Sequence, residues 1–417
     1  MKWPGQIYDG EAARQRFTTQ VVAAAKANRM DLSLRSTPIY SPAEADAWLA
    51  EARAQNAEGL LVVLLDRQQH AWPTAAKAAE TGIPTVVYSP LGSSFTTNTL
   101  PMADQPGCVI FSTDDTRQLD FGVKMLGAGA RMRMTRCVVI AGKQRVTKRM
   151  PDTGIELAYV PASDFLETYK AMPLTSAIER AADEYIRKAR RLRAATRQDV
   201  INGIKSYYVA GEILRREQGD AISMDCLGAL GKTTVSLPCI AWSRMNDEGI
   251  PAACEADTGA IAAHVIVQYL FDRPGFQQDP VADTADDTII GAHCSCATRL
   301  RGFDAKAEPF ELIHHHGDRD AVPRTIWPVG ERLTCLDVLP AGAVGQEKTT
   351  MLVSAGSVVG NIDAPPAGGC VVSVKARFDG GSKVLSFPGF HQLFFLGDFK
   401  RELLAFGQLY KLDPQVV

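Results

Sequence analysis

Long apolar runs are missing from this chain of 417 residues. No window approaches the roughly 18 uninterrupted apolar residues of a membrane-spanning helix, so we expect no membrane partner. A charge excess is missing as well, because the formal net charge is only −2, and no nucleic-acid partner is expected. The first residues lack the apolar stretch of a signal peptide. The sequence therefore predicts a cytoplasmic protein, and the alternative is a secreted or periplasmic protein from which a leader was removed.

Disulfide and zinc-finger patterns are also missing. The nine cysteines are an odd number spread from Cys108 to Cys370, and several have apolar neighbours, which is typical of buried thiols. His293, Cys294 and Cys296 form a His-Cys-X-Cys cluster, but no second cysteine pair follows at finger spacing, so a structural zinc ion is not predicted. The composition is that of an ordinary globular chain, and function must therefore reside in particular sites.

Short apolar runs alternate with helical patterns through the first two thirds of the chain. The run at 60–65 is one example. Such alternation predicts parallel sheets covered by helices, and we expect two Rossmann-like parallel α/β domains at 1–105 and 106–280. After residue 280, short strand patterns are separated by breaks that contain glycine and proline. We therefore expect a β-rich, barrel-like C-terminal domain at 281–417.

Two carboxylates occupy positions at which element ends are predicted. Glu255 ends a short apolar segment and precedes a helical pattern at 260–271, so it is expected at a strand-to-helix junction, where α/β proteins bind ligands. Alternatively, Glu255 or Asp257 only complements the helix N-terminus. Asp279 precedes a proline in a predicted loop and carries the second carboxylate of the predicted domain. Alternatively, Asp279 is only a turn-forming residue before the proline.

Two histidines complete the set. His293 ends a predicted strand and His391 lies in an aromatic strand pattern, although a histidine in such a strand is often a buried core residue. Two carboxylates with imidazole form a hard donor set that suits manganese or magnesium better than thiolate-preferring metals. The sequence therefore predicts a divalent cation site.

The order of these residues resembles the L-fucose isomerase and L-arabinose isomerase family, from about residue 201 to the C-terminus. The features that carry the resemblance are, in chain order, Cys254-Glu255-Ala256-Asp257, Asp279 about two dozen residues later, His293-Cys294, and Gly389-Phe390-His391 followed by Gly397-Asp398. By this resemblance Glu255, Asp279 and His391 hold a divalent cation, usually Mn²⁺, with Mg²⁺ as the second choice. His293 takes the place of an additional histidine ligand. The family likeness also implies a homo-oligomer, a trimer or a hexamer.

The activity that the resemblance implies is a metal-dependent aldose-ketose isomerisation through an enediol, with a pentose, hexose or 6-deoxyhexose as substrate. For this reaction we expect Glu255 and Asp279 to share ligand and acid/base roles, without assigning which is the base. A metal-dependent epimerase or lyase acting on a modified sugar is one alternative, and a non-catalytic sugar-binding protein is another. Residues that follow predicted strands are candidates for contact with the sugar, because ligands bind at the carboxyl ends of parallel strands. These candidates are His70, Trp72, Phe95, Asp225 and His315, the last within the run His314-His315-His316.

Overall fold

A computed structural model of the protein describes residues 9–65, 69–315, 319–343, 345–363, 370–381 and 383–417. The chain forms two compact units, one of Met1–Arg131 with Leu404–Asp413 and one of Met132–Leu403 with Pro414–Val417. The fold is of the mixed α/β class with parallel sheets, as the sequence predicts. Within the described ranges, no helix has the length and apolar character needed to cross a membrane.

The first unit is built on a parallel sheet of three strands. The elements from the N-terminus to the end of the helix that leads into the second unit are α1 (Gly10–Ala27), α2 (Pro42–Ala54), β1 (Leu60–Val63), α3 (Ala71–Glu80), β2 (Thr85–Ser89), α4 (Thr96–Thr99), a short 3-10 helix (Leu100–Met102), β3 (Cys108–Ser112) and α5 (Thr116–Met134). The strand order is β1-β2-β3, and every residue of the central strand β2 is buried, as expected for a sheet covered on both faces.

The position of β3 differs from the predicted division of the chain. The second domain is predicted to begin at residue 106, whereas β3 pairs with β2 in the register Thr85↔Cys108. The helix α5 then packs on this sheet, and Gly122 allows a close approach, because a Cβ there would lie 2.8 Å from Val86 Cγ1. The first unit therefore extends beyond the predicted boundary, to Arg131.

The second unit begins with a five-stranded sheet. Its elements up to the start of the barrel are β4 (Arg136–Ile140), β5 (Val146–Arg149), β6 (Glu156–Val160), α6 (Ala162–Ala171), α7 (Ser176–Lys188), β7 (Arg191–Leu192), α8 (Arg197–Arg216), β8 (Ala221–Met224), α9 (Cys226–Leu230), α10 (Cys239–Asp247), β9 (Ala252–Cys254) and α11 (Thr258–Phe271). The strand order is β5-β6-β4-β8-β9, parallel except for β5. The edge strand β9 therefore ends at the same side of the sheet as β4 and β8.

The remainder of the second unit is rich in strands. Its elements are β10 (Phe276–Asp283), β11 (Thr288–His293), β12 (Phe310–His314), β13 (Ala321–Thr325), β14 (Arg332–Leu339), β15 (Thr350–Ile362), β16 (Val372–Phe378), a 3-10 helix (Val384–Ser386), β17 (Gln392–Leu396), α12 (Lys400–Tyr410, whose later part belongs to the first unit) and β18 (Pro414–Val416). Six strands close into a barrel in the order β14-β17-β10-β11-β16-β15, with β15 pairing back onto β14. This barrel confirms the predicted β-rich C-terminal part.

The barrel starts earlier than the sequence predicts. Strand β10 begins at Phe276 and continues to Asp283, so the predicted boundary at residue 280 falls inside a strand. Phe276, Leu333 and Phe394 are fully buried in the barrel core. Asp279 therefore does not lie in a loop, as expected from the proline that follows it, but on a barrel strand.

Candidate metal centre

Glu255 lies where the edge strand β9 turns into helix α11. Its φ is +62° and that of Ala256 is +54°, so two successive non-glycine residues occupy the sparsely populated left-handed region. Asp257 then caps the helix, since its Oδ1 accepts the amide N–H of Ala260 at 2.9 Å. Backbone conformations of this kind cost about 1–3 kcal/mol each and cluster at functional sites. The strained turn holds the Glu255 carboxylate at the carboxyl end of the sheet.

The other predicted ligands lie on neighbouring barrel strands. Asp279 on β10 is opposite Ala292 on β11, and the next residue of β11 is His293, with which the strand ends. On the other side of β10, strand β17 begins one residue after His391. The antiparallel register of three strands therefore brings a carboxylate and two imidazoles to one end of the barrel.

A glycine-dependent loop presents His391. The residue has a φ of +55° and follows Gly389, whose φ is +93°. Between them, the amide N–H of Phe390 donates to Asp337 Oδ2 at 3.0 Å. A Cβ at position 389 would lie 2.2 Å from the same oxygen, so the hydrogen bond and the loop require glycine there.

The four side chains that the sequence predicts as ligands converge. The Nε2 of His391 lies 3.4 Å from Glu255 Oε2 and 3.3 Å from Asp279 Oδ1. The Nε2 of His293 lies 3.9 Å from Glu255 Oε1. Ligand atoms of Glu255, His293 and His391 all lie within 4.8 Å of one another. This spacing is compatible with Glu255, His293 and His391 around one cation, and Asp279 is joined to the group by its 3.3 Å approach to His391.

The site has a buried base and an open side. The side chains of His293 and His391 are 1% and 6% exposed, whereas those of Glu255 and Asp279 are 36% and 31% exposed. Three atoms of this set, Asp279 Oδ1, His293 Nε2 and His391 Nε2, are buried and make no hydrogen bond of acceptable geometry among the described residues. Buried polar atoms are nearly always satisfied in native proteins. The unsatisfied atoms of this set are the observation that indicates a cation site.

Each imidazole is oriented through its other ring nitrogen. The Nδ1 of His391 lies 2.9 Å from Asp257 Oδ2, and the Nδ1 of His293 lies 3.6 Å from the Sγ of Cys294. An acceptor at Nδ1 fixes the tautomer whose Nε2 carries the free lone pair, which is the arrangement found around metal-binding histidines. The Asp257 carboxylate can only accept, so Nε2 of His391 is prepared to bind a cation, and Nε2 of His293 is prepared in the same way when the Cys294 sulfur is the acceptor.

The charges of the site favour an additional positive charge. Burial alone would lower the pKa of His391, but the carboxylates of Asp257 and Glu255 outweigh it and raise the pKa to about 10. The His391 imidazole in turn lowers the pKa of Glu255 against the effect of burial. Burial raises the pKa of Asp279, and the two imidazoles offset it only in part. The two carboxyl groups are therefore shifted in opposite directions, a pattern typical of functional sites.

Comparison with family models and with curated proteins finds no match to this chain. The likeness to the fucose and arabinose isomerases therefore stays a prediction that rests on residue order.

Gln277 is a component of the site that the sequence pattern did not identify. Its Oε1 accepts the amide N–H of Cys254 at 2.8 Å, and its Nε2 donates to the carbonyl oxygen of Cys254 at 3.4 Å. The side chain thus pairs with β9 as a neighbouring strand would. It joins the residue before Glu255 to the strand that carries Asp279. A glutamine in a strand pattern carries no local signal of such a contact.

Asp257 is the other component whose role was not anticipated beyond a helix N-terminus. One carboxylate oxygen caps α11 and the other accepts from His391, so a single side chain positions both the helix and the imidazole. The sequence feature that could have indicated this role is the position of Asp257 in the Cys-Glu-X-Asp motif, two residues after Glu255.

Of the predicted sugar-binding residues, Asp225 lies close to the site. It follows β8, and the carbonyl of Met224 before it accepts the amide N–H of Ala256 at 3.1 Å. The Asp225 side chain is exposed, and its Oδ1 caps α9 by accepting the N–H of Gly228 at 3.0 Å.

Of the other predicted sugar-binding residues, three belong to the first unit and His315 belongs to the second. His70, Trp72 and Phe95 belong to the first unit, where Trp72 packs on the hydrophobic core and Phe95 is 56% exposed. His315 is buried in the second unit, beside two cysteines. His316 lies outside the described residues. The centre described above is formed by residues of the second unit alone.

Proposed function

We propose that the protein is a metal-dependent aldose-ketose isomerase that acts on a pentose, a hexose or a 6-deoxyhexose. The observation that carries the proposal is the convergence of Glu255, Asp279, His293 and His391, with three buried atoms of the set unsatisfied among the described residues. Residue order, which resembles that of the fucose and arabinose isomerases, supplies the reaction class.

The donor set fits a divalent cation. Two carboxylates and two imidazole nitrogens suit Mn²⁺, or Mg²⁺ as the second choice, better than they suit a thiolate-preferring ion. We propose that Glu255, Asp279, His293 and His391 hold it. When bound, the cation would polarise the sugar carbonyl and acidify the adjacent C–H bond.

The residues of the site support transfer of a proton between C1 and C2. Such a transfer needs one group that accepts the proton and another that returns it. Glu255 and Asp279 face each other across His391, and their pKa values are shifted in opposite directions, so they can differ in protonation at one pH. Both carboxylates reach solvent while the imidazoles are buried, which supports access of a sugar from the carboxylate side.

Two further parts of the proposal concern architecture. The alternation of parallel strands and helices in both sheets supports two Rossmann-like domains before the barrel. The family likeness supports a homo-oligomer, a trimer or a hexamer.

The test is a ketose-formation assay over a panel of aldoses, with Mn²⁺ added to the metal-stripped protein. We expect a ketose from at least one sugar, and no product from Glu255→Gln or Asp279→Asn. Asp283→Asn is the matched control, because this carboxylate also lies on β10 but pairs with Lys375 at 2.8 Å. Absence of product with every sugar, together with unchanged Mn²⁺ binding by Glu255→Gln, would contradict the proposal.

The same assay separates the alternatives. An epimer or a cleaved product would indicate an epimerase or a lyase that uses the same carboxylates. Sugar binding without turnover would indicate a binding protein, and in that case Asp279→Asn should leave the sugar affinity nearly unchanged.

A further inference from the structure

A second group of metal-ligating side chains lies next to the candidate metal centre. The Sγ atoms of Cys239 and Cys294 and a ring nitrogen of His315 lie within 4.8 Å of one another. The three residues are 2%, 5% and 5% exposed. Cys294 directly follows His293, but its thiol and the other two side chains are not among the ligands proposed above.

Hydrogen bonds to the backbone of its residues position this group. The hydroxyl of Ser295 donates to the carbonyl oxygen of Cys239 at 2.9 Å, which ties the first residue of α10 to the segment that follows β11. The amide N–H of His315 donates to the carbonyl oxygen of Asp320 at 3.0 Å. The group is therefore assembled from three segments by backbone contacts.

The donor atoms differ in kind from those of the first centre. Two sulfurs and an imidazole nitrogen are the ligands that Zn²⁺ prefers, at about 2.3 Å and about 2.0–2.1 Å. Tetrahedral bonds of these lengths place neighbouring ligands about 3.5–3.8 Å apart, so a spacing within 4.8 Å requires a contraction of at most about 1.3 Å. The three side chains supply three of the four ligands of a tetrahedral site.

We propose that Cys239, Cys294 and His315 bind a zinc ion. The pattern differs from a zinc finger, because the cysteines come from α10 and from the end of β11, and the histidine from the end of β12. Cys296, the other cysteine of the local cluster, is not part of it. Its thiol donates instead to the carbonyl oxygen of Ala297.

The proposed zinc site is coupled to the first centre through one contact. The Sγ of Cys294 lies 3.6 Å from Nδ1 of His293. A metal-bound thiolate still accepts hydrogen bonds, so Cys294 would ligate zinc and orient His293 at the same time. The zinc ion would thereby stabilise the geometry of the imidazole without taking part in the chemistry at the carboxylates.

The test is a Co²⁺ titration of the metal-stripped full chain, followed by absorption spectroscopy. Only thiolate ligation produces the sulfur-to-cobalt charge-transfer band in the near ultraviolet, so Co²⁺ bound at the carboxylates does not contribute. We expect the band to saturate at a single Co²⁺ per chain and to disappear when Zn²⁺ is added. Glu255→Gln should retain it, which separates this site from the proposed isomerase centre.

Variants complete the test. Cys239→Ser and Cys294→Ser should lose the band, and His315→Gln should weaken Co²⁺ binding at least about tenfold. Cys137→Ser is the matched control, because Cys137 is equally buried but lies on β4, where its thiol donates to the carbonyl of Val138 at 3.9 Å. Circular dichroism of the metal-stripped variants checks folding. Absence of the band in the unmodified protein, or an undiminished band in folded Cys294→Ser, would overturn the proposal.

Discussion

Asp257 allows the candidate metal centre to be perturbed without removing any proposed ligand. Its Oδ1 caps α11 through Ala260 N at 2.9 Å, and its Oδ2 lies 2.9 Å from Nδ1 of His391. Asparagine caps helices as well as aspartate does, so Asp257→Asn should keep α11 intact. To do so, the amide oxygen must face Ala260, and the amide NH₂ then faces His391.

That orientation reverses the hydrogen bond to the imidazole. An NH₂ group donates, so it favours the tautomer in which Nδ1 accepts and Nε2 carries the proton. Nε2 is the atom that lies 3.3 Å from Asp279 and 3.4 Å from Glu255, where a cation would bind. Loss of such an orienting partner typically lowers metal affinity 10- to 100-fold, which corresponds to about 1.4–2.7 kcal/mol.

The assay is a calorimetric titration of metal-stripped protein with Mn²⁺ at one pH, accompanied by urea unfolding. Asp257→Asn should bind Mn²⁺ about 10- to 100-fold more weakly, while its free energy of unfolding changes by less than about 1 kcal/mol. Asp9→Asn is the control, because Asp9 caps α1 in the same way but has no imidazole partner among the described residues. Unchanged Mn²⁺ affinity in a folded Asp257→Asn protein would refute the assignment of His391 Nε2 as a ligand.

Two further predictions concern buried carboxylates that are not themselves proposed ligands. Burial raises the pKa of Asp247 from 3.8 to about 6, although the hydrogen bonds that it accepts act in the opposite direction. Between these two values the Asp247 carboxyl is protonated in the folded state and ionised in the unfolded state. The contribution of this proton to the free energy of unfolding is fully present below about pH 4 and is lost as the pH rises through 6, a loss of up to about 3 kcal/mol. Asp247→Asn should abolish this pH dependence. Gly389→Ala places a methyl 2.2 Å from Asp337 Oδ2 at a φ of +93°, and should weaken Mn²⁺ binding as well as lowering the free energy of unfolding by more than about 1 kcal/mol.

Both substitutions have a matched comparison. For Asp247, urea unfolding is measured between pH 4 and 7, and an unchanged pH dependence in the variant would show that the carboxyl is already ionised throughout. For Gly389, the matched change is Gly342→Ala, since Gly342 has a φ of +87° and a Cβ added there would meet no atom within 4 Å. Equal losses in the two alanine variants would mean that the contact with Asp337 has no effect.

Local pattern was enough to predict the class of elements and the kinds of ligands. The alternation of apolar runs and helical patterns indicated an α/β architecture, because strand and helix periodicities are properties of short segments. The β-rich C-terminal part followed from strand patterns broken by glycine and proline. Glu255, Asp279, His293 and His391 could be named from their chemistry and order, and the structure brings them together, although their function as metal ligands stays a prediction.

Pairing between distant segments could not be read from local pattern. Closure of the barrel depends on β15 pairing with β14, and the assignment of β3 to the first sheet depends on its register with β2. In both cases one partner is selected from many possible strands, and the sequence pattern of a strand does not specify which strand it pairs with. For the same reason the predicted boundaries of the domains differ from those of the compact units.

The details of the site depend on tertiary structure most of all. Gln277 reaches across to the backbone of Cys254, and Asp257 divides its oxygens between α11 and His391. Cys239 and His315 come together with Cys294 although they lie on different elements. The sequence by itself determined which donor atoms the chain contains and in what order. Only the fold decided which of them share one point in space, because that depends on the packing of segments far apart in the chain.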